Sequence, residues 1–265
     1  MTALLQGKVA LVTGAGSGIG KATALRLARE GARIGVLGRS RERLEEAVRE
    51  IRDLGAEAMP LAADVTDANA IRQAVEQLVG EYGRLDVVVA NAGINGVAAQ
   101  LDDLTPEEWD RTLSVNLKGT FLTLRCAVPH LKKQGGSVII VSSINGTRIF
   151  SNPGTHAYSA SKAAQVSLMK TAALELAPHR VRVNAVCPGW IETNIEQNTQ
   201  KRNTEQVKWT ANFPKGIVPL TGGKPASADK VAQVILFLAS DLADHVSGTE
   251  VWVDGAESLI GEAED

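Results

Sequence analysis

Tyr158 and Lys162 are the two residues of this sequence whose types and spacing most clearly suggest catalysis. They lie in a segment with helical periodicity and are separated by one turn, so both side chains are predicted on one face of a helix. A free tyrosine has a pKa of about 10, and lowering it to about 7 requires about 4 kcal/mol of preferential stabilisation of the anion. A nearby ammonium is one source of that stabilisation. The pair therefore predicts a general acid or base that acts on an alcohol or a carbonyl oxygen.

Glycines cluster near the start of the sequence, in the segment Thr13-Gly14-Ala15-Gly16-Ser17-Gly18-Ile19-Gly20. The segment follows a predicted strand and opens a predicted helix. Glycines there allow a sharp turn and a close approach of the backbone to a pyrophosphate, and the helix N-terminus offers free N–H groups. The position at the first strand–helix junction favours a dinucleotide phosphate site over an ordinary glycine-rich turn.

The elements that position these residues alternate along the chain. Predicted strands cover residues 9–13, 33–37, 85–90, 137–142, 181–186 and 250–253, and predicted helices include residues 20–30, 41–54, 68–82 and 228–240. Strands that alternate with helices of about 10–15 residues predict βαβ units and a parallel sheet covered on both faces. We therefore expect an α/β fold: one doubly wound Rossmann-type domain over residues 1–265, with a mostly parallel sheet of seven strands.

One segment, at about residues 190–225, interrupts the alternation. It is polar and carries few strand signals, and a long excursion from a compact domain is typical of a lid or binding loop. It mixes apolar and basic side chains, which either dock the lid and contact a ligand or form a solvated face. These residues are Trp190, Ile195, Lys201, Arg202, Lys208, Trp209, Phe213 and Lys215.

Composition argues against several classes of partner. The 28 Lys+Arg and 30 Asp+Glu give a net charge of −2 without a basic run, which disfavours nucleic acid as the main partner. No apolar run approaches the roughly 18 residues of a membrane helix, and no secretory signal is visible. Cys126 and Cys187 are too few for a disulfide scaffold, and the four histidines show no metal spacing. A cytoplasmic protein without a metal or a membrane partner is predicted.

The glycine spacing GxxxGxG resembles that of the short-chain dehydrogenase/reductase family. Further motifs stand at matching places along almost the whole chain: Asn91-Ala92-Gly93, Tyr158-Ser159-Ala160-Ser161-Lys162, Pro188-Gly189 and Val253-Asp254-Gly255. The resemblance implies an oxidoreductase that interconverts a secondary alcohol and a carbonyl by hydride transfer with a nicotinamide dinucleotide, with Tyr158 as general acid/base. It also implies a homotetramer, with residues 251–256 at a subunit contact.

The resemblance completes a catalytic set of Asn116, Ser143, Tyr158 and Lys162. Ser143, rather than the neighbouring Ser142, would hold the substrate oxygen beside the tyrosine. Asn116, predicted in the middle of a helix where asparagine is unfavourable, would hold a water that relays protons to Lys162. The separation of Ser143 and Tyr158 is longer than is usual in the family, which predicts an enlarged loop within residues 146–155.

The end of the second strand bears on the cofactor. Position 38 is glycine, where an NAD site usually carries a carboxylate, and Arg39 follows, which suits a 2′-phosphate. NADP(H) is therefore predicted, with NAD(H) as the alternative because Ser17 occupies a loop position that is often basic in NADP-binding relatives. The predicted cofactor contacts are Gly14, Ser17, Gly18, Ile19, Gly20, Arg39, Asp64, Val65, Asn91, Ala92, Gly93, Tyr158, Lys162, Pro188, Gly189 and Thr193.

The substrate is left open between classes. Predicted contacts are Ser143, Asn145, Trp190 and Glu192, with Thr147 and Asn194 as further candidates. The polar side chains favour a small polar alcohol or ketone. The alternatives are an NAD-dependent sugar or polyol dehydrogenase, a 3-oxoacyl reductase, and, in another class, a nucleotide-sensing scaffold without turnover.

Overall fold

A central sheet of seven parallel strands forms the core of the protein, in a computed structural model that describes residues 3–193, 195, 199–206 and 218–260. The strands are short, and the five inner ones are almost wholly buried, as expected for Val- and Ile-rich segments covered on both faces, whereas the two edge strands are partly exposed. They are β1 Val9–Thr13, β2 Arg33–Gly38, β3 Ala58–Ala62, β4 Val87–Ala90, β5 Gly136–Val141, β6 Val181–Pro188 and β7 Glu250–Val253.

The strand order across the sheet is β3-β2-β1-β4-β5-β6-β7, and every pairing is parallel. The chain winds outward from β1 in one direction through β3 and then returns to β4 on the other side. The switch therefore falls between β1 and β4, and ligands of such sheets bind outside the carboxyl ends of the strands at this point.

Helices cover both faces of the sheet. Alternate strand residues point to opposite faces, so one apolar layer joins α1, α2 and α7 and a second joins α3, α5 and α6. The helices are α1 Gly18–Arg29, α2 Arg41–Asp53, α3 Ala68–Tyr82, α4 Pro106–Leu113, α5 Gly119–Leu131, α6 His156–Leu176 and α7 Ala228–Ala239. This architecture confirms the predicted α/β fold and seven-stranded parallel sheet.

The predicted excursion at about residues 190–225 has more strand than its sequence suggested. Ile191–Glu192 pairs with Ala226–Ser227, and Gln200–Lys201 pairs with Val97–Ala98, all in parallel. Two-residue strands bury too little apolar surface to leave a periodic signal, which explains why the sequence did not indicate them. Several predicted features lie outside the described residues: Asn194, Lys208, Trp209, Phe213 and Lys215.

Neither a membrane-spanning helix nor a cluster of metal ligands occurs within the described ranges. No helix there is long and apolar enough to cross a bilayer. The same residues contain no group of three or more His, Cys, Asp or Glu side chains arranged to hold a metal ion.

Candidate active site

The glycine-rich loop between β1 and α1 turns back against the end of β4. Gly14 has φ +67°, and a Cβ there would lie 2.9 Å from Asn91 Nδ2 and 3.0 Å from Ala92 Cα. Gly20 has no room for a side chain either, because its Cβ would lie 2.6 Å from Asn91 Nδ2 and still closer to the Gly14 carbonyl. These two glycines therefore allow the loop to pack directly on the segment that follows β4.

Thr13 and Asn91 connect the two strand ends at the switch point. The Thr13 hydroxyl accepts hydrogen bonds of 3.0 Å from the backbone N–H groups of both Asn91 and Ala92. The Asn91 side-chain amide donates to the Thr13 carbonyl at 2.9 Å. These bonds fix the cleft floor, and Thr13 is a positioning residue that the sequence reasoning missed although it directly precedes Gly14.

A cleft of about 680 Å³ opens above this junction. It brings together most of the predicted cofactor contacts: Gly14, Ser17, Gly18, Ile19, Arg39, Asp64, Val65, Asn91, Ala92, Gly93 and Thr193. It does not include Gly20, which packs behind the loop, or Pro188, Gly189 and the four predicted catalytic residues. Gly14 and Gly18 form a cradle that side chains would fill, since a Cβ at Gly18 would lie 3.3 Å from the Thr193 methyl group. Volume, backbone exposure and shape thus fit a dinucleotide.

Positive charge collects at the outer end of the cleft. Arg39 lies 4.0 Å from the Asp64 carboxylate, and Arg43 and Arg111 also line the cleft. Asp64 is partly desolvated, but hydrogen bonds from the Thr66 N–H and hydroxyl outweigh this and lower the pKa of Asp64. The sequence reasoning missed Arg43, whose signal was its place one turn after Arg39 at the start of α2.

Lys162 and Tyr158 lie behind the inner end of the cleft. A Cβ on Gly93 would lie 3.6 Å from Lys162 Nζ, so only a glycine-sized gap separates the ammonium from the cleft wall. Lys162 is 4% exposed and donates a 2.9 Å hydrogen bond to the Val141 carbonyl. Its Nζ lies 5.5 Å from the centroid of the Tyr158 ring.

The electrostatics of this pair differ from the expected lowering of the tyrosine pKa. Burial raises the pKa of Tyr158, and a hydrogen bond with the neighbouring Ser143 hydroxyl only partly opposes the rise. Burial also lowers the pKa of Lys162 to about 8, because desolvation disfavours the ammonium. The protein's own groups therefore favour a neutral phenol.

The two serines that end β5 have different surroundings. The Ser142 hydroxyl donates to the Lys162 carbonyl at 2.9 Å and so anchors α6 to the sheet. Ser143 is 6% exposed and accepts a 3.1 Å hydrogen bond from the Asn145 N–H, with its hydroxyl beside the Tyr158 phenol. Only Ser143 is therefore placed where a hydroxyl can share a substrate oxygen with the tyrosine.

Asn116 lies in a π-helical segment, Ser114–Lys118, between α4 and α5. Its side chain is fully buried, exchanges hydrogen bonds of 2.8 and 2.9 Å with the Ile94 backbone, and donates to the Ser161 hydroxyl at 3.0 Å. The Asn116 carbonyl accepts from the Gln165 side-chain amide at 2.7 Å. Single π turns are frequent at functional sites because they redirect backbone carbonyls. Here the turn couples the segment after β4 to α6.

The predicted substrate contacts do not converge on one pocket. Asn145 Oδ1 accepts a 2.6 Å hydrogen bond from Asn152, and the Thr147 hydroxyl donates to the Ser143 carbonyl at 2.7 Å. Glu192 is exposed and lies outside the cleft lining, as does Trp190. The members of the polar set that the structure describes, Asn145, Thr147 and Glu192, are thus held in local turns or face solvent.

The chain resembles known proteins in both sequence and structure. The sequence matches the family model described as short chain dehydrogenase over residues 8–204. The 3-oxoacyl-[acyl-carrier-protein] reductase of Thermotoga maritima is 44% identical over 252 residues, which cover 95% of this chain and 98% of the relative. A solved 3-ketoacyl-ACP reductase from Sinorhizobium meliloti is 56% identical with a TM-score of 0.91, over 95% of this chain and 99% of that one.

A second solved structure bears on the cofactor. The 3-ketoacyl-(acyl-carrier-protein) reductase from Brucella melitensis, complexed with NADH, is 33% identical with a TM-score of 0.84, over 96% of this chain and 99% of its own. Together with the family match, these similarities show that the chain belongs to the short-chain dehydrogenase/reductase family. It is an oxidoreductase, as the motifs predicted.

Proposed function

We propose that the chain is an NADP(H)-dependent oxidoreductase that interconverts a secondary alcohol and a ketone, with Asn116, Ser143, Tyr158 and Lys162 as its catalytic set. The observation that carries this proposal is the continuity of the site. The cleft runs from the glycine-rich loop to Gly93, and Lys162 Nζ lies directly behind that glycine.

The bound cofactor would supply the hydride donor or acceptor. Tyr158 holds a proton at its phenol oxygen and donates it to the carbonyl oxygen during reduction, or removes it from the alcohol during oxidation. Ser143 orients that oxygen beside the phenol. Lys162 contributes positive charge close to the tyrosine, and the hydrogen bonds of Asn116 to Ile94 and Ser161 keep the cleft wall and α6 in register.

The neutral phenol favoured by burial suits the reductive direction, because a general acid must carry its proton before the reaction. In oxidation the same group has to lose a proton first, at additional cost. The names of two relatives, a 3-oxoacyl reductase and a 3-ketoacyl reductase, support reduction of a ketone as the principal reaction.

Arg39 and Arg43 support NADP(H) as the cofactor. Both line the outer end of the cleft, and Gly38 places no carboxylate there to repel a 2′-phosphate. Arg43 supplies the second basic group that the glycine-rich loop lacks at Ser17. NAD(H) is the second candidate, because Asp64 lies 4.0 Å from Arg39 and partly neutralises it, and because the Brucella melitensis relative was solved with NADH.

Paired fluorescence titrations with NADPH and NADH test the cofactor. We expect NADPH to bind at least about tenfold more tightly, equivalent to about 1.4 kcal/mol. Arg39→Gln and Arg43→Gln should each reduce this ratio. Arg41→Gln is the matched control, since Arg41 lies on the same helical turn but outside the cleft lining and pairs with Glu45 at 3.0 Å. Tighter NADH binding by the wild-type protein would contradict the NADP(H) proposal and leave the oxidoreductase assignment intact.

A 3-oxoacyl thioester is the substrate class that the relatives favour. Two of the most similar proteins carry names of 3-oxoacyl or 3-ketoacyl reductases, at 44% and 56% identity. We expect NADPH-dependent reduction of acetoacetyl-CoA to exceed oxidation of xylitol by NADP⁺ or NAD⁺. The reverse order would restore the polyol alternative, and binding of cofactor without turnover of either substrate would support the scaffold alternative.

Two further proposals concern assembly and the lid: the resemblance to the family supports the first, and the break in the strand–helix alternation supports the second. We propose a homotetramer of single-domain subunits, with residues 251–256 at a subunit contact and the segment at about residues 190–225 acting as a lid. Sedimentation at equilibrium tests the assembly, and a monomer mass would contradict it.

A further inference from the structure

Glu257 lies in a C-terminal turn, Glu257–Leu259, that packs against the start of the lid. Its carboxylate Oε2 accepts a 2.6 Å hydrogen bond from the backbone N–H of Trp190. Trp190 follows Pro188-Gly189, the segment in which the chain leaves β6. This bond therefore joins a residue near the C-terminus to the first residue beyond that turn.

Glu257 is held in place by its own neighbours. Asp254 accepts hydrogen bonds from the Ala256 N–H at 3.2 Å and the Ser258 N–H at 3.1 Å, and also from the Ser258 hydroxyl. These bonds close the turn around one buried carboxylate. Glu257 is thus presented from a fixed backbone, so that its position is set independently of the lid.

The segment it contacts is packed too tightly to shift without losing these interactions. The Gly189 N–H donates to the Val253 carbonyl at 3.1 Å, and a Cβ on Gly189 would lie 2.7 Å from Asp254 Cβ. On the far side of Glu257, the Trp190 carbonyl accepts from the Ala226 N–H at 3.1 Å. Both polar backbone groups of Trp190 are therefore fixed, one by Glu257 and one by the strand before α7.

The chain beyond Trp190 leads directly into the cofactor cleft. Ile191–Glu192 forms the short strand paired with Ala226–Ser227, and Thr193 then lines the cleft beside Gly18. Because only two residues separate the anchored Trp190 from Thr193, a displacement at Trp190 is transmitted to the cleft wall.

A carboxylate at this position has a physical cost. Burial and the nearby Asp254 carboxylate raise the pKa of Glu257, although the Trp190 N–H opposes the shift. Within the described residues, the Trp190 amide is the one hydrogen-bond donor to this side chain. Burying a carboxylate that has a single hydrogen-bond donor costs free energy. General stability therefore does not explain why Glu257 lies beside the Trp190 N–H.

We propose that Glu257 is a positioning residue for the 190–193 segment. Its hydrogen bond to the Trp190 N–H sets where this segment lies against the cofactor cleft. This inference rests on the proposed function, because the segment matters for turnover only if the cleft binds the nicotinamide cofactor. Glu257 acts through the Trp190 backbone and is not itself a catalytic residue.

Two substitutions test the proposal. Glu257→Ala removes the acceptor, whereas Glu257→Gln keeps an oxygen that can accept from the Trp190 N–H. Without the acceptor the Trp190 N–H is left unpaired, so we expect Glu257→Ala to raise the KM for NADPH about fivefold or more while kcat changes less than about twofold. Glu257→Gln provides a weaker, neutral acceptor and should recover part of the loss. Glu57→Ala, at an exposed position beside β2, is the control and should leave both constants unchanged.

Amide hydrogen exchange provides a readout that does not depend on turnover. In Glu257→Ala we expect peptides covering residues 190–192 to exchange about tenfold faster, while peptides of α3 and β1 keep their wild-type rates. A variant with faster exchange throughout has simply lost stability, and this would overturn the proposal, as would unchanged exchange at residues 190–192 or an unchanged KM. A wild-type protein that binds neither dinucleotide would instead contradict the proposed function, and the local exchange result would still decide whether Glu257 holds the segment.

Discussion

Lys162 Nζ lies 5.5 Å from the centroid of the Tyr158 ring, while its hydrogen bond runs to the Val141 carbonyl at 2.9 Å. The lysine is therefore fixed by the sheet, and its ammonium lies within cation–π distance of the tyrosine ring. Since both groups are buried, this charge is poorly screened by solvent. The arrangement keeps a cation close to the phenol without forming a contact that would compete with the substrate oxygen.

Replacement of Tyr158 by phenylalanine should abolish most turnover while cofactor binding persists. Loss of a general acid typically costs about 10²–10⁴-fold in rate, and we expect kcat to fall in this range. The chain contains only 2 tyrosines, so Tyr82→Phe is a natural control, and it should retain wild-type kcat. Steady-state reduction assays and NADPH titration make the measurement. If Tyr158→Phe kept more than about a tenth of the wild-type kcat, another group would have to supply the proton.

Replacement of Lys162 by methionine should remove activity and increase stability at neutral pH. Burial lowers the pKa of Lys162 to about 8, so the unfolded state binds more protons between about pH 8 and the lysine's usual pKa of about 10.4. The destabilisation of the fold by the buried ammonium is therefore complete below pH 8 and disappears as the pH rises through this window. After allowance for the unpaired Val141 carbonyl, Lys162→Met should be about 1–2 kcal/mol more stable at pH 7.

Urea denaturation of both proteins at pH 7 and pH 10 provides the check. The stability difference should be largest at pH 7 and should shrink at pH 10, because the buried lysine of the folded wild-type protein has by then lost its proton. A Lys162→Met protein that is less stable than wild type at pH 7 would mean that the ammonium is compensated by groups around it, and that burial does not control its titration.

Much of the fold was predictable because its signals are local. The strands β1 and β5 contain the apolar runs Val9–Val12 and Val138–Val141. At positions 14 and 20 the close approach of other groups leaves room for glycine only, and the sequence shows glycine directly. The placement of Tyr158 and Lys162 was equally predictable, since a spacing of one helical turn places both side chains on one face of the helix.

The remaining features depend on contacts between distant segments. The Asn116 carbonyl meets Gln165 from another helix, and Glu257 meets Trp190 across 67 residues of sequence, so neither partner leaves a periodic or compositional trace. The rise in the Tyr158 pKa has a related origin. Desolvation depends on all the groups packed around the phenol, whereas the sequence displays only the lysine one turn away.

Arg202 connects the described part of the lid to the body of the protein. It donates to Glu108 at 2.8 and 2.9 Å and to Asp103 at 3.1 Å. Glu108 also lines the cofactor cleft, and the hydrogen bonds from Arg202 lower the pKa of Glu108 to about 2. We predict that Arg202→Ala increases the dissociation rate of NADPH severalfold in stopped-flow displacement, because the strand Gln200–Lys201 loses its neighbouring anchor.

Lys201→Ala is the matched control for Arg202→Ala, since Lys201 is exposed and pairs with Ala98 through the backbone. The pKa of Glu108 in the folded state lies below its unfolded value. The ion pair between Arg202 and Glu108 is therefore complete above about pH 4.3 and weakens as the pH falls toward 2. The faster release in Arg202→Ala should therefore be independent of pH between about 6 and 8. Equal release rates in the two variants would show that the ion pairs do not hold the lid.

Arg26 and Asp229 join α1 to α7 through a bidentate ion pair, with Arg26 Nη2 at 2.7 and 2.6 Å from the two carboxylate oxygens and Nε at 3.1 Å from one of them. The hydrogen bonds from Arg26 lower the pKa of Asp229, despite opposing desolvation. A lowered aspartate pKa stabilises the fold above the unfolded value of about 3.9, and this contribution is lost as the pH falls through the folded pKa. Asp229→Asn should therefore lower the free energy of unfolding by about 1 kcal/mol at pH 7, a figure reduced for the partial exposure of the pair. The difference from wild type should narrow below about pH 4.

Glu45→Gln, which breaks the exposed pair with Arg41 on α2, is the control and should lower the free energy of unfolding by only about 0.3 kcal/mol. Urea denaturation at pH 7 and pH 3.5 distinguishes the two, and a gap for Asp229→Asn that stays constant between these pH values would show that the amide substitution acts through packing and not through the lost charge.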